Sequence, residues 1–361
     1  MIKYLGSKRR LVPILETLFD ASGARTALDL FSGTTRVSQA FKRRGATVTA
    51  VDSARYAEAF ARCYVATDAR GVDADELASA IEYLDGLPGE EGYVTEVFCR
   101  RSRYLHPKNG ARVDAVRRAL DEDFAKSPLF WVLLTSLVEA ADRVDSTTGV
   151  QMAYLKSWSA RAGNDLRLRI PDLLDGQGTA VRGDALNLVR EGSLGGFDLA
   201  YLDPPYNRHR YTANYHVWET LVAWDAPVHY GVACKRTEVR DEPTSVFNRK
   251  REMPAALAEA VAGVDAGVVV LSYNDESWIT RDELVDMCAV RGEVRLLAFE
   301  QDRYVGARIG IHGPDGRPVG EVSHTRNVEY VVLAGDPVTV RRMEAAVAAM
   351  SGVDRGLTQV G

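Results

Sequence analysis

Residues 26–52 constrain the fold more than any other stretch of this chain. Thr26-Ala27-Leu28-Asp29-Leu30-Phe31 is a short apolar run ended by Ser32-Gly33-Thr34-Thr35. A helical pattern through Val37, Ala40 and Phe41 follows, and then Thr47-Val48-Thr49-Ala50-Val51, closed by Asp52. Strand, tight loop, helix, strand and terminal acid make one βαβ unit of a parallel sheet. Parallel sheets need crossover helices on their faces, so this unit predicts an α/β domain.

The rhythm returns late in the chain. Gly196-Phe197-Asp198-Leu199-Ala200-Tyr201-Leu202 reads as a buried strand feeding Asp203, Val268 to Tyr273 as another, and Glu329 to Ala334 as a third. Between the halves lie long helical periodicities, Asp114 to Phe124 and Leu129 to Val144, with few strand-like runs. The expected organisation is therefore a sheet domain begun by residues 1–69, interrupted by a helical insertion over 70–175, and completed by 176–340. Residues 341–361 are expected to form a C-terminal helix and a frayed end.

Composition adds mainly exclusions. Hydrophobic residues are 46% and charged residues 26% of the 361, which suits a protein with a real core. No apolar run reaches membrane-spanning length and Met1 is followed by no apolar signal core, so the expectation is a cytoplasmic protein without a membrane partner. Cys63, Cys99, Cys234 and Cys288 are scattered, and the six histidines form no ligand spacing, so no metal is expected. A net charge of −5 does not advertise a nucleic-acid binder. Binding needs only a local basic face, however, because phosphate attraction is screened within about 10 Å. Lys8-Arg9-Arg10, Arg100-Arg101 with Arg103, Arg117-Arg118, Lys235-Arg236 and Arg249-Lys250-Arg251 are candidates for such a face.

Two constellations carry chemistry. In the βαβ unit, Gly33 lets the backbone approach a ligand, and Asp52 ends the next strand where an acid can bind both hydroxyls of a ribose. Thr34, Thr35 and Arg36 stand where a dinucleotide fingerprint would place later glycines, which disfavours a nicotinamide oxidoreductase. The second constellation is Asp203-Pro204-Pro205-Tyr206, directly after an apolar strand. Two prolines remove backbone donors and stiffen the chain, so the Asp203 carboxylate and neighbouring carbonyls point in fixed directions. Accepting both hydrogens of an exocyclic amine favours a pyramidal nitrogen and exposes its lone pair, and Tyr206 offers a face for an extruded base. Arg182-Gly183-Asp184-Ala185 adds a weaker signal, an acid able to accept from a cofactor's adenine amine.

With these residues in hand, the chain resembles the Dam-like, alpha-group DNA adenine-N6 methyltransferases from Met1 to about Ala334. The opening Lys3-Tyr4-Leu5-Gly6-Ser7-Lys8 is similar to the family's N-terminal cofactor motif. Asp29-Leu30-Phe31-Ser32-Gly33-Thr34 resembles the methionine-binding loop, Asp52 the ribose-binding acid, Gly183-Asp184 the cofactor-adenine motif, and Asp203 to Tyr206 the catalytic motif. Leu271-Ser272-Tyr273-Asn274 and Asn327-Val328-Glu329-Tyr330 resemble one bacterial branch. The resemblance implies a Rossmann-like methyltransferase fold with a mainly parallel sheet, and places target recognition in the helical insertion. It implies S-adenosylmethionine as cofactor, held by Tyr4, Gly6, Ser7, Lys8, Asp29, Phe31, Ser32, Gly33, Thr34, Asp52 and Asp184. Thr35 departs from the commoner second glycine and is expected to narrow the methionine pocket.

The expected reaction is direct methyl transfer to the amine of a flipped adenine in double-stranded DNA, with Asp203, Pro204, Pro205 and Tyr206 as the catalytic set. Arg208, Arg210, Tyr211, Lys235 and Arg236 are the expected DNA contacts, Trp218 is expected in the core, and a cognate restriction enzyme is the expected partner. No cysteine follows a proline, which counts against cytosine C5 chemistry, and cytosine-N4 enzymes more often carry Ser in place of Asp203. The alternatives are a methyltransferase acting on RNA or another planar nitrogen, and a non-catalytic nucleic-acid-binding module of the same fold.

Overall fold

The computed structural model describes the chain apart from residues 1, 5, 7, 153, 206–210, 242–243, 303–325, 351–356 and 361, and describes only the backbone at 301, 302, 326 and 357–360. Its strands are β1 (Thr26–Asp29), β2 (Thr47–Asp52), β3 (Gly178–Arg182), β4 (Phe197–Leu202), β5 (His229–Tyr230), β6 (Lys235–Arg236), β7 (Ala266–Asn274), β8 (Glu293–Asp302), β9 (Arg326–Gly335) and β10 (Leu357–Val360). The chain forms two compact units. One comprises Met1–Ser7, Ser32–Asp184 and His209–Thr244; the other comprises Lys8–Phe31, Ala185–Arg208 and Ser245–Gly361.

In the second unit the strands lie in the order β10-β8-β9-β7-β4-β1. β1, β4 and β7 are parallel, and the direction reverses at β9, which runs antiparallel to both β7 and β8. β7 is buried along nearly its whole length, as a strand covered on both faces must be, which explains its unbroken Val268-Val269-Val270-Leu271 reading. Register is pinned at the start of β1 by Asp198, whose carboxylate accepts the amides of Arg25 (2.8 Å) and Thr26 (2.9 Å). With Asp29 opposite Tyr201 and the Leu30 amide on the Tyr201 carbonyl (3.0 Å), the loops leaving β1 and β4 emerge side by side. Ligands of α/β sheets bind at such carboxyl ends.

In the first unit β2 and β3 pair in parallel, Val48 opposite Gly178 through Asp52 opposite Arg182. The remainder is largely helical, including Ala74–Gly86, Pro107–Asp123 and Phe130–Arg143. The last of these is buried without a break from Val132 to Asp142, so it is the unit's central helix rather than an amphipathic surface one. Around it pack Phe98, Leu120, Val116 and Trp218, the last at 2% exposure as expected of a core residue.

The five anticipated strands form within a few residues of their expected limits. β3, β8, β10 and the short β5–β6 hairpin were not anticipated; Gly178-Thr179-Ala180-Val181-Arg182 lacks a sustained apolar run, and in β8 the apolar Leu296-Leu297-Ala298-Phe299 is flanked by charged residues. The tail corrects the expectation of a frayed end: after helix Pro337–Ala348, β10 adds antiparallel to β8. Partner strands rather than local pattern decide these segments. The four cysteines are buried and free. Among the described residues, no helix is long and apolar enough to cross a membrane.

Candidate active site

In the first unit the loop after Phe31 is built by backbone hydrogen bonds. Ser32 N–H donates to the Val51 carbonyl (2.8 Å) and Thr35 N–H to the Ser32 carbonyl (2.6 Å), closing a tight turn before helix Arg36–Arg43. Asp52, at the end of β2, accepts the amides of Gly33 (2.9 Å) and Ala54 (2.9 Å). Burial pushes its carboxyl above the usual range, opposed by these amides. Pairing of β2 with β3 carries Asp184 to the neighbourhood of Asp52, and Gly183 N–H donates to the Asp52 carbonyl (3.0 Å). Two acids 132 positions apart in the chain therefore sit on adjacent strand ends, through a strand that sequence patterning missed.

Gly33 has φ +48°, and a Cβ there would meet the Tyr4 ring at 3.1–3.3 Å. Both facts favour glycine. Thr35 also has positive φ, 62°, which for a β-branched residue is a strained conformation costing about 1–3 kcal/mol. That strain is the physical reason a glycine is commoner at this place. Thr35 is fully buried, and its hydroxyl donates to the Thr34 carbonyl (2.7 Å) and accepts from Gln39 (2.9 Å), so it is committed to the start of the helix.

Tyr4 stacks on Tyr215 (centroids 4.8 Å apart) and on Tyr211 (5.4 Å), with its hydroxyl 3.4 Å from that of Tyr56. Burial, reinforced by the neighbouring phenols and Asp52, raises the Tyr4 hydroxyl pKa well above its ordinary value, so it stays a neutral phenol. Tyr211, expected against DNA, is thus half-buried against a residue of the expected cofactor motif. Tyr56, on helix Arg55–Ala61, was not anticipated, and nothing in local sequence distinguishes it from a core aromatic; Tyr215 lies just before helix His216–Ala223. Gly6 occupies an exposed turn at φ +72°. Ser7, Tyr206, Arg208 and Arg210 lie outside the described residues.

The expected DNA contacts at β6 separate. Arg236 is 1% exposed and bound by Asp225 (2.6 and 2.7 Å) and Glu238 (2.7–3.0 Å). Burial opposes its charge, but the two carboxylates outweigh that and hold its pKa above the ordinary value. An arginine so engaged is a structural cation, which corrects its assignment as a phosphate contact. Lys235 is half-buried, its Nζ 3.4 Å from the Met152 sulfur, and carries no carboxylate partner among the described residues.

In the second unit Asp29 is buried at the end of β1, and Phe31 meets Phe247 edge-on at 5.0 Å. Asp203, one residue beyond β4, keeps 18% side-chain exposure. Lys8 is 8% exposed and places Nζ 2.9 Å from Asp203 Oδ1 and 2.5 Å from Glu329 Oε1. Lys8, expected on the cofactor, is therefore a partner of the catalytic-motif carboxylate. Burial raises the Asp203 carboxyl to about 6, with Lys8 pulling it down and Glu329 pushing it up. Pro204 is buried behind it.

These residues suit S-adenosylmethionine. The Ser32 hydroxyl is buried with no hydrogen-bond partner among the described residues, and at Gly33 an added Cβ would press on Tyr4. Gly33→Ala is expected to cost about 1.4 kcal/mol and to weaken S-adenosylmethionine binding about tenfold by calorimetry. An unchanged dissociation constant would remove Gly33 from the site. Among the described residues, no group of three or more His, Cys, Asp or Glu is arranged to hold a metal ion.

Comparison with known proteins gives the chain's family. The chain is 29% identical over 319 residues to the Type II methyltransferase M.NlaIII of Neisseria lactamica, covering 84% of this chain and 92% of that one. It is 27% identical over 307 residues to the modification methylase StsI of Streptococcus sanguinis, covering 79% of this chain and 46% of that longer protein. To the Type II methyltransferase M.CviAII of Paramecium bursaria Chlorella virus 1 it is 28% identical over 249 residues, covering 67% of this chain and 74% of that one. The family profile described as D12 class N6 adenine-specific DNA methyltransferase matches residues 4–287. The chain belongs to that family of adenine-N6 DNA methyltransferases, whose methyl donor is S-adenosylmethionine.

Proposed function

We propose that this methyltransferase acts on an adenine flipped out of duplex DNA, with Asp203 and the Pro204 carbonyl accepting the two amine hydrogens and Tyr206 stacking on the base. The observation that carries this reading is the partly exposed Asp203 carboxylate at the end of β4, backed by the Lys8 ammonium at 2.9 Å. A carboxylate fixed in this way holds the amine with its lone pair directed outward, which lowers the barrier by positioning and electrostatics. S-adenosylmethionine, when bound, supplies the electrophilic methyl group. Ser32, Gly33, Thr34 and Asp52, with Tyr4 over Gly33, are the residues that would hold it; Asp184 would accept from its adenine amine.

The helical stretch 70–175 is proposed to carry target recognition. Lys235, with Arg208 and Arg210, is proposed to contact phosphate, which positions a protein on DNA without reading sequence. The biological setting proposed is the cytoplasm, beside a cognate restriction enzyme, the latter supported by the similarity to Type II methyltransferases. The test is transfer of tritiated methyl from S-adenosylmethionine to unmethylated duplex DNA, single-stranded RNA and peptide. Label in N6-methyladenine of the duplex alone is expected; label in RNA or peptide would overturn the substrate assignment.

A further inference from the structure

Glu329 lies on β9, opposite Asn274 of β7, and is 1% exposed. A buried carboxylate costs several kcal/mol unless it is paired. Here one oxygen takes the Lys8 ammonium at 2.5 Å and the other lies 3.5 Å from the Asn274 amide. The same ammonium touches Asp203 Oδ1. One cation thus sits between two carboxylates of different exposure, the sealed one on β9 and the accessible one at the end of β4. A lysine stem is flexible, and a single ion pair would leave its head free to swing. A second anchor behind it fixes where the charge is delivered.

We propose that Glu329 is a positioning residue for methyl transfer, holding the Lys8 ammonium against Oδ1 of Asp203 so that the other carboxylate oxygen is offered to the substrate amine. Lys8 keeps Asp203 ionised, and Glu329 prevents Lys8 from neutralising it as a hydrogen-bond acceptor. The triad carries net negative charge, suited to a nitrogen that becomes positive as the methyl group arrives. The charged and titratable groups that act on Asp203 are Lys8, on the short helix before Leu11, and Glu329 on β9, with the Tyr201 phenol of β4 beside it; Asp29 on β1 faces Tyr201. The inference rests on Asp203 being the amine acceptor.

Glu329→Gln keeps the shape and removes the charge. The expected result is a fall of about tenfold in kcat, with the KM for DNA and the dissociation constant of S-adenosylmethionine within about twofold of wild type. Loss of the like charge also moves the acidic limb of the kcat–pH profile down by about one pH unit. Lys8→Gln, which removes the attracting charge, moves the same limb up, and in that background Glu329→Gln has little further effect on kcat. An unmoved limb with unchanged kcat, or a loss of cofactor binding instead, overturns the proposal. Should Glu329→Gln not fold, the upward shift in Lys8→Gln is the deciding measurement, and an unmoved limb there is equally fatal. Failure of the underlying reading looks different, because Asp203→Asn would then remain active.

Discussion

Asp203→Asn is expected to lower kcat by about 10³-fold while leaving S-adenosylmethionine affinity within about twofold, and to make the protein more stable at pH 8. The first effect follows from replacing an anionic acceptor by an amide whose nitrogen cannot accept. The second follows from the environment. Burial holds the Asp203 carboxyl at about 6, above the ordinary 3.8, despite Lys8. A group whose pKa is raised on folding contributes stability that is full below its unfolded value and lost as pH rises through the folded one. Above about pH 6 the ionised carboxylate therefore costs stability, on the order of 1–3 kcal/mol. The asparagine variant escapes that cost and leaves Lys8 paired with Glu329. Thermal unfolding should show the gain at pH 8 and its disappearance near pH 4. Wild-type kcat should fall as pH drops through about 6. A variant that is inactive and also destabilised at pH 8 would contradict the burial argument.

Arg236→Ala is expected to cost roughly 2–4 kcal/mol of stability. The guanidinium fills a buried position and is shared between Asp225 and Glu238, with the Thr220 hydroxyl at 3.3 Å. Removing it leaves a cavity and two carboxylates that are each partly solvated, with the Arg55 guanidinium 4.0 Å from Glu238, which keeps the cost below that of a fully sealed pair. The neighbouring Lys235→Ala provides the contrast. It should leave the melting temperature unchanged, weaken DNA binding, and reduce the slope of log K against log salt by about 0.9. Fluorescence anisotropy at several salt concentrations, alongside denaturant unfolding, separates the two. An Arg236→Ala protein of normal stability with a reduced salt slope would restore Arg236 to the DNA interface.

Much of the site was legible because its parts are local. Ser32-Gly33-Thr34 is a turn defined by neighbours, Asp52 ends its own strand, and Asp203 is followed by two adjacent prolines that stiffen the chain. Lys235 and Arg236 show where such reading fails. Adjacent residues of one type alternate across a strand, so one faces solvent and the other a carboxylate pair that only folding brings together. Lys8 is a similar case: its motif lies next to expected cofactor residues in sequence, while its charge meets Asp203 and Glu329, 195 and 321 positions away.

The sequence alone determined the α/β class, the turn at Gly33, the acid ending its strand at Asp52 and the proline-flanked carboxylate at Asp203, because each depends on period, backbone freedom or proline geometry within a few residues. Tertiary structure alone decided that β3 carries Asp184 beside Asp52, that Tyr211 and Tyr215 stack on Tyr4, and that Glu329 stands behind Lys8. These depend on strand register and on the cost of burying charge without a partner, and neither quantity is written in any short stretch of chain.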